Sequence, residues 1–441
     1  MDADQEHGGW GGQWFGRLVA DPVTSDLMLL HGVECFRLEV ARGVGLPELG
    51  CWARVRGCRE GSSLVAEAIE KVAPGDLSVL GRLGEGPERF LLAPGKMARL
   101  ARRSGFLAEV RRFFDAQGFL EVETPCLVPA AGTDLAIEAF EVPFPSGSSW
   151  YLHTSPELAM KRLLATGLTK IYQVARVFRQ GEVSALHNPE FTMAEWYRVG
   201  ADDRVMMEDV EALVRVVLGE RLRYAGRTLD LRLPLPRLSV QEAFIASVGV
   251  DLGECTTAER LAEELGARGY DVPRAGSYGD LFFRMIVERV EPWLAAYDAV
   301  FLTDYPAPVA ALARLAPEDA RFAERFELFV AGIEIANGYS ELVDANEQEA
   351  RFEAERAARR RLMLDVPPLP RAFIDSLRLG LPPCAGVSAG LDRLFMLRED
   401  VQDVAEVLGF PWPHPADRAP YRPEGSGPSR PEGSACGGDA P

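Results

Sequence analysis

Side chains that could bind a nucleotide are concentrated between residues 177 and 197. An apolar run enters a polar loop there and a half-polar run leaves it, which predicts a strand-loop-strand hairpin. A guanidinium fork suits phosphate oxygens, an aromatic face suits a base, and carboxylates suit amines. The side chains of these types are Arg179, Glu182, His187, Phe191 and Glu195. The alternative is an exposed, charged hairpin around a core phenylalanine.

A second segment, residues 326–341, carries carboxylates between apolar residues. Glu327 and Glu334 are seven positions apart, so the intervening Ala331 and Gly332 must turn or bulge if both carboxylates are to converge. Carboxylates buried together are costly unless a cation neutralises them. Mg²⁺ prefers one or two carboxylates together with phosphate oxygens, so this pair predicts a magnesium site. A half-exposed acidic strand is the alternative.

A third segment, residues 386–397, is a glycine-rich strand followed by an apolar helix. Gly386 and Gly390 flank Ser388, and Arg393 falls near the start of the helix. Small residues allow a backbone to approach a ligand closely. Such a junction is a weak signal alone, and a second arginine that opposes Arg179 strengthens it.

The elements around these segments predict two domains between disordered ends. Short apolar runs with turn residues indicate a small β-domain at 14–92, and an OB-type barrel is expected. Such a barrel could bind nucleic acid or serve only as a structural or docking module. Residues 97–412 form the second domain. Residues 1–13 and the Pro-, Gly- and Ser-rich 413–441 are expected to be disordered.

Composition narrows the class of protein. The 441 residues carry a net charge of −18, which does not indicate long-range attraction to nucleic acid. The seven cysteines form no CxxC pair, which argues against a zinc ribbon or a disulfide scaffold. The sequence has neither a membrane-length apolar run nor a signal-peptide layout. A cytoplasmic protein without a membrane partner is therefore expected.

The three segments resemble motif 2, the lysine-pocket strand and motif 3 of class II aminoacyl-tRNA synthetases of the lysine branch. His-Asn-Pro-Glu-Phe-Thr-Met from residue 187, Asn-Gly-Tyr-Ser-Glu-Leu from 337 and Gly-Leu-Asp-Arg-Leu from 390 occur in that family's order and spacing. Residues 99–125 resemble motif 1, which forms the family's dimer interface. The resemblance covers residues 97–412 and implies an α+β fold, with an antiparallel sheet flanked by helices, in a homodimer. The small β-domain would precede this fold.

The resemblance implies an ATP site with two catalytic arginines. Arg179 would hold the α-phosphate of ATP and the carboxylate of the amino acid, and would stabilise charge at the reacting phosphorus. Arg393 would hold the γ-phosphate of a bent ATP. Phe191 would stack on adenine, with Glu182 and His187 in the same loop.

The resemblance also implies a metal site and an amino-acid pocket. Glu327 and Glu334 would hold Mg²⁺ against the phosphates, so Glu327 would also contact ATP. Acidic residues suit a substrate with two ammonium groups, because an unpaired buried ammonium group is costly. The implied contacts to lysine or β-lysine are Glu157, Glu195, Tyr197, Asn337, Tyr339, Glu341 and Ser388.

Two groups with this catalytic domain differ in the acceptor of the activated amino acid. Lysyl-tRNA synthetases charge tRNA, and elongation factor P–lysine ligases modify a lysine side chain of that protein. Glu182 lies three residues after Arg179, whereas synthetases usually have an acid two residues after the arginine. The segments 303–313, 195–198 and 384–387 also resemble the ligases more closely. Elongation factor P is therefore the expected acceptor.

Two other functions remain open from the sequence. The ligases typically lack an anticodon-binding barrel, so the β-domain at 14–92 keeps a compact lysyl-tRNA synthetase as an alternative. A catalytically inactive paralogue that acts as a binding module is a second alternative, although every expected phosphate and metal residue is present. Ser388 departs from both groups, which have glycine or alanine there, and this departure predicts a preference for β-lysine or an altered lysine.

Overall fold

A computed structural model of the protein describes residues 12–20, 24, 26–31, 34–49, 51–74, 95–145, 149–272 and 276–412. The disorder predicted for residues 1–11 and 413–441 lies outside these residues. The predicted end of the N-terminal domain, residues 75–92, lies outside them as well.

The first described residues form a closed five-stranded barrel. Its strands are β1 (Gly12–Ala20), β2 (Leu27–His31), β3 (Glu34–Val40), β4 (Trp52–Glu60) and β5 (Ser63–Ala73). They follow the order β1-β2-β3-β5-β4, with β3 parallel to β5 and the other pairs antiparallel. Leu18, Leu29, Val55 and Leu64 are fully buried inside. The structure thus contains the barrel that the short apolar runs predict.

The first strand begins earlier than expected. Gly12 and Gln13 were assigned to the disordered terminus, but they pair with Gly57 and Arg56 of β4. Their backbone groups pair with those of β4 in the sheet. The glycine-rich composition of the terminus does not predict this pairing. The prediction of disorder is therefore wrong for these two residues.

The remaining strands belong to the second domain. In chain order they are β6 (Leu120–Glu121), β7 (Leu127–Val128), β8 (Glu141–Pro143), β9 (Ser149–Leu152), β10 (Lys170–Phe178), β11 (Glu190–Val199), β12 (Arg221–Tyr224), β13 (Arg227–Asp230), β14 (Arg237–Ser239), β15 (Ala299–Pro306), β16 (Phe322–Val330), β17 (Ile333–Ser340) and β18 (Cys384–Gly390). Eight of them form one sheet in the order β14-β15-β16-β17-β18-β11-β10-β6. Its neighbours are antiparallel except for the parallel pairs β14/β15 and β10/β6.

Helices flank this sheet. They are α1 (Lys96–Ala116), α2 (Glu157–Ala165), α3 (Asp203–Leu218), α4 (Val240–Ser247), α5 (Ala258–Ala267), α6 (Tyr278–Met285), α7 (Glu291–Leu294), α8 (Ala345–Arg361), α9 (Arg371–Gly380) and α10 (Leu391–Arg398). A π-helical turn, Ile286–Val290, joins α6 to α7. In the main core, Phe114 stacks on Tyr172 at 4.4 Å between ring centroids and packs with Trp196. The predicted α+β fold, a largely antiparallel sheet flanked by helices, is confirmed.

Helix α1 carries the first part of the segment 99–125, which resembles motif 1, and ends just before a glycine. Gly118 has a φ of 73°, a left-handed conformation that side chains disfavour. The amide of Phe119 then donates to the carbonyl of Phe114, which closes the helix end. The helix therefore ends just before this glycine, and the chain turns into β6.

A buried ion pair joins three distant segments. Asp392, at the start of α10, contacts Nη2 of Arg103 in α1 through one oxygen. Its other oxygen accepts a hydrogen bond from the amide of Thr192 in β11 at 3.0 Å. The side chains of Arg103 and Asp392 are only 9% and 4% exposed. This contact fixes the segments that resemble motifs 1, 2 and 3 against one another.

Candidate active site

One cavity of about 460 Å³ is lined by residues of the strands β11, β15, β16, β17 and β18. All fourteen site residues predicted from the sequence line it: Glu157, Arg179, Glu182, His187, Phe191, Glu195, Tyr197, Glu327, Glu334, Asn337, Tyr339, Glu341, Ser388 and Arg393. They come from helix α2, the β10–β11 hairpin, the β16–β17 hairpin and the β18–α10 junction. The fold therefore brings the predicted residues together, while their roles remain predictions.

Arg179 follows β10 and is weakly held. Its Nε donates to the carbonyl of Thr154 at 3.4 Å, and its Nη1 lies 3.6 Å from Glu182. The guanidinium carbon lies 5.2 Å from the centroid of the Phe191 ring. The side chain of Arg179 is 24% exposed and keeps donors that the protein engages only at long distance. An anion in the cavity can engage these donors.

Arg393 is held from both sides of the cavity. Nη1 donates to the carbonyl of Glu334 at 2.8 Å and Nε donates to the carbonyl of Leu186 at 3.3 Å. Nη2 lies 2.6 Å from Nε2 of His187, and Nδ1 of that histidine lies 2.7 Å from Oγ of Ser184. Because arginine only donates, Nε2 must accept and Nδ1 carries the proton.

His187 is thus a support for Arg393. Burial, and then the charge of Arg393, lower the pKa of His187 below its ordinary value. The imidazole therefore stays neutral and orients the guanidinium group towards the cavity. The sequence predicts that His187 contacts ATP. The structure shows in addition that His187 contacts and orients Arg393.

Glu327 and Glu334 converge through a tight turn, as the sequence requires. Ala331 and Gly332 both have positive φ angles, 50° and 78°, and the register shifts between Leu328 and Phe329. A two-residue turn of this kind matches the twist of an antiparallel pair. Both carboxylates therefore reach the cavity from neighbouring strands.

The Glu327 carboxylate is buried and well supported. Its Oε1 accepts hydrogen bonds from Nη2 of Arg325 at 2.8 Å and Nδ2 of Asn337 at 3.0 Å. Burial, and then the charge of Glu334, raise the pKa of Glu327 to about 7. A divalent cation would relieve this repulsion, so the pair fits the predicted magnesium site. Asn337, predicted to contact the amino acid, also links the predicted magnesium site to the pocket beyond it.

Three carboxylates lie at the other end of the cavity. Glu195 accepts from Oγ of Ser155 and from the hydroxyl of Tyr197, both at 2.6 Å. Oε1 of Glu157 accepts from the hydroxyl of Tyr339. Burial, followed by the charge of Glu157, raises the pKa of Glu195 to about 7.

Glu341 is buried beside them, and burial raises its pKa to about 8. This end therefore holds more carboxylates than positive groups, which suits a substrate with amines.

Lys161 is the residue that the sequence reasoning missed. Its Nζ pairs with Glu157 at 2.5 Å and also contacts Glu341. Burial opposes its charge, but the two carboxylates outweigh burial and raise the pKa of Lys161. The spacing of Glu157 and Lys161, four positions apart on one helix, is the signal that could have found it.

Close backbone packing makes room for these side chains. A Cβ atom on Gly386 would lie 2.2 Å from the ring of Tyr197 and 2.7 Å from Oε1 of Glu341. Ser388, two residues further along β18, pairs in register with Glu195 on one side and Asn337 on the other. Its hydroxyl is 3.4 Å from the carbonyl of Asn337. Ser388 therefore lies in the sheet between Glu195 of the acidic pocket and Asn337, which contacts the predicted magnesium site.

Two negative findings concern the described part of the chain. Its His, Cys, Asp and Glu side chains form no group of three or more that could hold a metal ion. A magnesium ion at Glu327 and Glu334 would therefore need phosphate oxygens to complete its ligands. None of the described helices is long and apolar enough to cross a membrane.

Comparison with known proteins places these features in a family. A profile of the family described as tRNA synthetases class II (D, K and N) matches residues 90–413. Three similar proteins are each named elongation factor P–(R)-β-lysine ligase. The protein from Hamiltonella defensa is 38% identical over 325 residues, or 71% of this chain and 95% of the relative. Those from Vibrio cholerae and Salmonella typhi are also 38% identical, over 329 and 320 residues, covering 72% and 70% of this chain and 96% and 94% of theirs.

These matches agree with the strand order, the three motif segments and the single cavity that they line. The chain belongs to the class II tRNA synthetase family for D, K and N and, within it, to the group of the elongation factor P–(R)-β-lysine ligases.

Proposed function

We propose that the protein activates lysine or β-lysine with ATP as the aminoacyl-adenylate and transfers it to a lysine side chain of elongation factor P. The observation that carries this proposal is the division of one cavity into two ends. Buried carboxylates at one end suit a substrate with two ammonium groups. Arg179 and Arg393 at the other end suit a polyphosphate. The names of the relatives support the acceptor and β-lysine.

In the first step, a carboxylate oxygen of the amino acid attacks the α-phosphorus of ATP. The bond from that phosphorus to the oxygen of the β-phosphate breaks, and pyrophosphate leaves. Arg179 donates hydrogen bonds to the oxygens that gain charge, and Arg393, oriented by His187, holds the leaving phosphates. No covalent enzyme intermediate is needed, because positioning and electrostatics suffice.

Glu327 and Glu334 are the residues that would hold Mg²⁺. Their carboxylates fit the ion, because Glu327 is buried, feels the charge of Glu334 and has an elevated pKa. When bound, the ion would neutralise phosphate charge. Arg325 and Asn337 keep the Glu327 carboxylate in place for this task.

In the second step, the uncharged amine of the acceptor lysine attacks the carbonyl carbon of the adenylate. The bond from that carbon to the phosphate oxygen breaks, AMP leaves, and the amine nitrogen loses a proton as the amide forms. The substrate's own ammonium groups stay paired with the acidic end of the cavity. These pairs keep the acyl group in place while the acceptor approaches.

The barrel favours tRNA as the alternative acceptor. Phe15 is 45% exposed and stacks on Trp52 at 5.3 Å, and the guanidinium carbon of Arg17 lies 5.5 Å from the centroid of the Trp52 ring. Exposed aromatics with arginine are a common platform for single-stranded nucleic acid. The matches cover all but 4–6% of the three relatives. The uncovered part of each relative is too short to form a counterpart of the barrel.

A competition experiment separates the two acceptors. Purified protein receives ATP, labelled α- or β-lysine, and both elongation factor P and tRNA. Label on elongation factor P alone is expected. Label on tRNA alone would make this protein a lysyl-tRNA synthetase and the barrel its anticodon reader. If no amino acid supports ATP–pyrophosphate exchange, the protein would be the catalytically inactive paralogue that acts as a binding module.

Ser388 is expected to set the preference between α- and β-lysine. Its hydroxymethyl group narrows the space between Glu195 and Asn337, to which it is paired in the sheet. Ser388→Gly should therefore shift the ratio of kcat/KM for β-lysine to that for α-lysine towards α-lysine by about tenfold, as expected when a small group is removed from a substrate pocket. Ser388→Ala, which keeps the bulk, should retain most of the preference. An unchanged ratio in the glycine variant would refute the idea.

The proposal includes a homodimer and a cytoplasmic location. Helix α1 carries the first part of the segment 99–125, which resembles motif 1, the dimer interface of this family. Size-exclusion chromatography with light scattering is the direct measurement of the oligomeric state.

A further inference from the structure

Lys161 is a deeply buried lysine in a pocket that is proposed to bind a lysine. Its side chain is 1% exposed, and its Nζ lies between the carboxylates of Glu157 and Glu341. Ring faces surround the ammonium group at 6.0, 5.2 and 5.9 Å from its nitrogen to the centroids of Tyr197, Tyr339 and Phe373. These carboxylates and rings replace the water that the ammonium group loses.

The charges at this end of the cavity do not balance. Three carboxylates, those of Glu157, Glu195 and Glu341, face one resident ammonium group. When all four groups are ionised, two negative charges lack a partner inside the protein. A lysine-type substrate carries two ammonium groups and would balance them.

We propose that Lys161 is a positioning and specificity-determining residue of the amino-acid pocket. Its ammonium group pairs with Glu157 and Glu341 and holds both carboxylates in place, so that the pocket lacks two positive charges and selects a substrate that brings both. This inference rests on the proposed function. Lys161 acts through the two carboxylates with which its nitrogen pairs. Because Lys161 supplies one ammonium group to the three carboxylates of the pocket, the substrate supplies the other two.

The consequence of removing Lys161 falls on Glu341. Groups from every neighbouring element face this carboxylate: Lys161 and Glu157 from α2, Glu195 and Tyr197 from β11, Tyr339 from β17 and Cys384 from β18. Burial raises the pKa of Glu341 to about 8, Lys161 opposes that rise, and Glu157 adds to it. Without Lys161 the carboxyl would keep its proton to a higher pH. The substrate binds the ionised form, so affinity is present above this pKa and is lost as the pH falls through it.

The test compares the KM for the amino acid in ATP–pyrophosphate exchange between about pH 8 and pH 9. The ratio of the variant's KM to that of the wild type cancels titration of the substrate itself. For Lys161→Met this ratio should fall about fivefold over that one pH unit, because the ionised fraction of the variant's carboxyl rises about tenfold while that of the wild type, with a pKa of about 8, rises about twofold. For the double variant Lys161→Met/Glu341→Gln the ratio should rise about twofold, because only the wild type then titrates at position 341. Lys161→Arg, which keeps the charge, should follow the wild type.

A pH-independent ratio for Lys161→Met would overturn the proposal and leave Lys161 a packing residue. The double variant keeps the test decisive if the single variant does not fold, because it leaves no buried charge at position 341 without its partner. A ratio that falls with pH in the double variant would also overturn the proposal. If the wild type shows no exchange with any lysine-type amino acid, it is the proposed function that fails.

Discussion

Arg179→Ala is expected to slow ATP–pyrophosphate exchange by about 1,000-fold, the size of effect seen when one charge-stabilising donor is lost from a phosphoryl-transfer site. Arg179 lies in the cavity with donors that the protein holds only weakly, at 3.4 and 3.6 Å. These donors would reach their full strength only on the reacting phosphate. The loss should therefore appear mainly in kcat. Steady-state exchange kinetics with varied ATP and amino acid measures it.

Arg176→Ala is the matched control. Arg176 precedes Arg179 by three residues at the end of β10, but its side chain is 52% exposed and pairs loosely with Glu190 at 3.7 Å. Exposed pairs of this kind contribute little, so the rate should change by less than about twofold. Equal losses in the two variants would point to a general disturbance of the hairpin. Full activity of Arg179→Ala would remove that residue from the proposed mechanism.

Asp392→Ala is expected to lower the free energy of unfolding by about 3–5 kcal/mol, the usual result of removing one partner of a buried ion pair. The change would leave the buried guanidinium group of Arg103 without its counter-charge. It would also leave the amide of Thr192 without its 3.0 Å acceptor. Urea denaturation followed by tryptophan fluorescence measures the difference.

Asp375→Ala is the comparison for this variant. Asp375 pairs with Arg378 on helix α9 at 3.1 Å, but its side chain is 69% exposed. Its removal should therefore cost less than about 1 kcal/mol. If both variants lose the same small amount, the buried pair does not hold the three segments together.

Local sequence patterns were sufficient to predict much of this protein. The short apolar runs with turn residues predict the barrel, and the seven-residue spacing of Glu327 and Glu334 requires the turn at Ala331 and Gly332. Each of these features depends on residues that are close in sequence. Resemblance to the family then brought residues from distant segments into one predicted site.

Features that depend on contacts between distant segments could not be predicted in this way. In the sequence, Lys161 is indistinguishable from an exposed lysine on a helix. In the structure, Glu341, the residue after β17, lies beside it. The sequence predicts that His187 contacts the ligand. Its contact with Arg393, which is 206 positions away in the chain, is visible only in the structure. The early start of β1 likewise depends on its pairing with β4.

The position of β18 in the sheet has a consequence for how the protein is made. β18 lies between β11 and β17, although it follows both in the chain. While a ribosome is still making the residues before Cys384, both strands have an open edge at the centre of the sheet. Open edges pair readily with other chains, and such long-range closure is slow. If synthesis pauses before Cys384, the edges of β11 and β17 that pair with β18 stay unpaired. Chains released at that point should therefore aggregate.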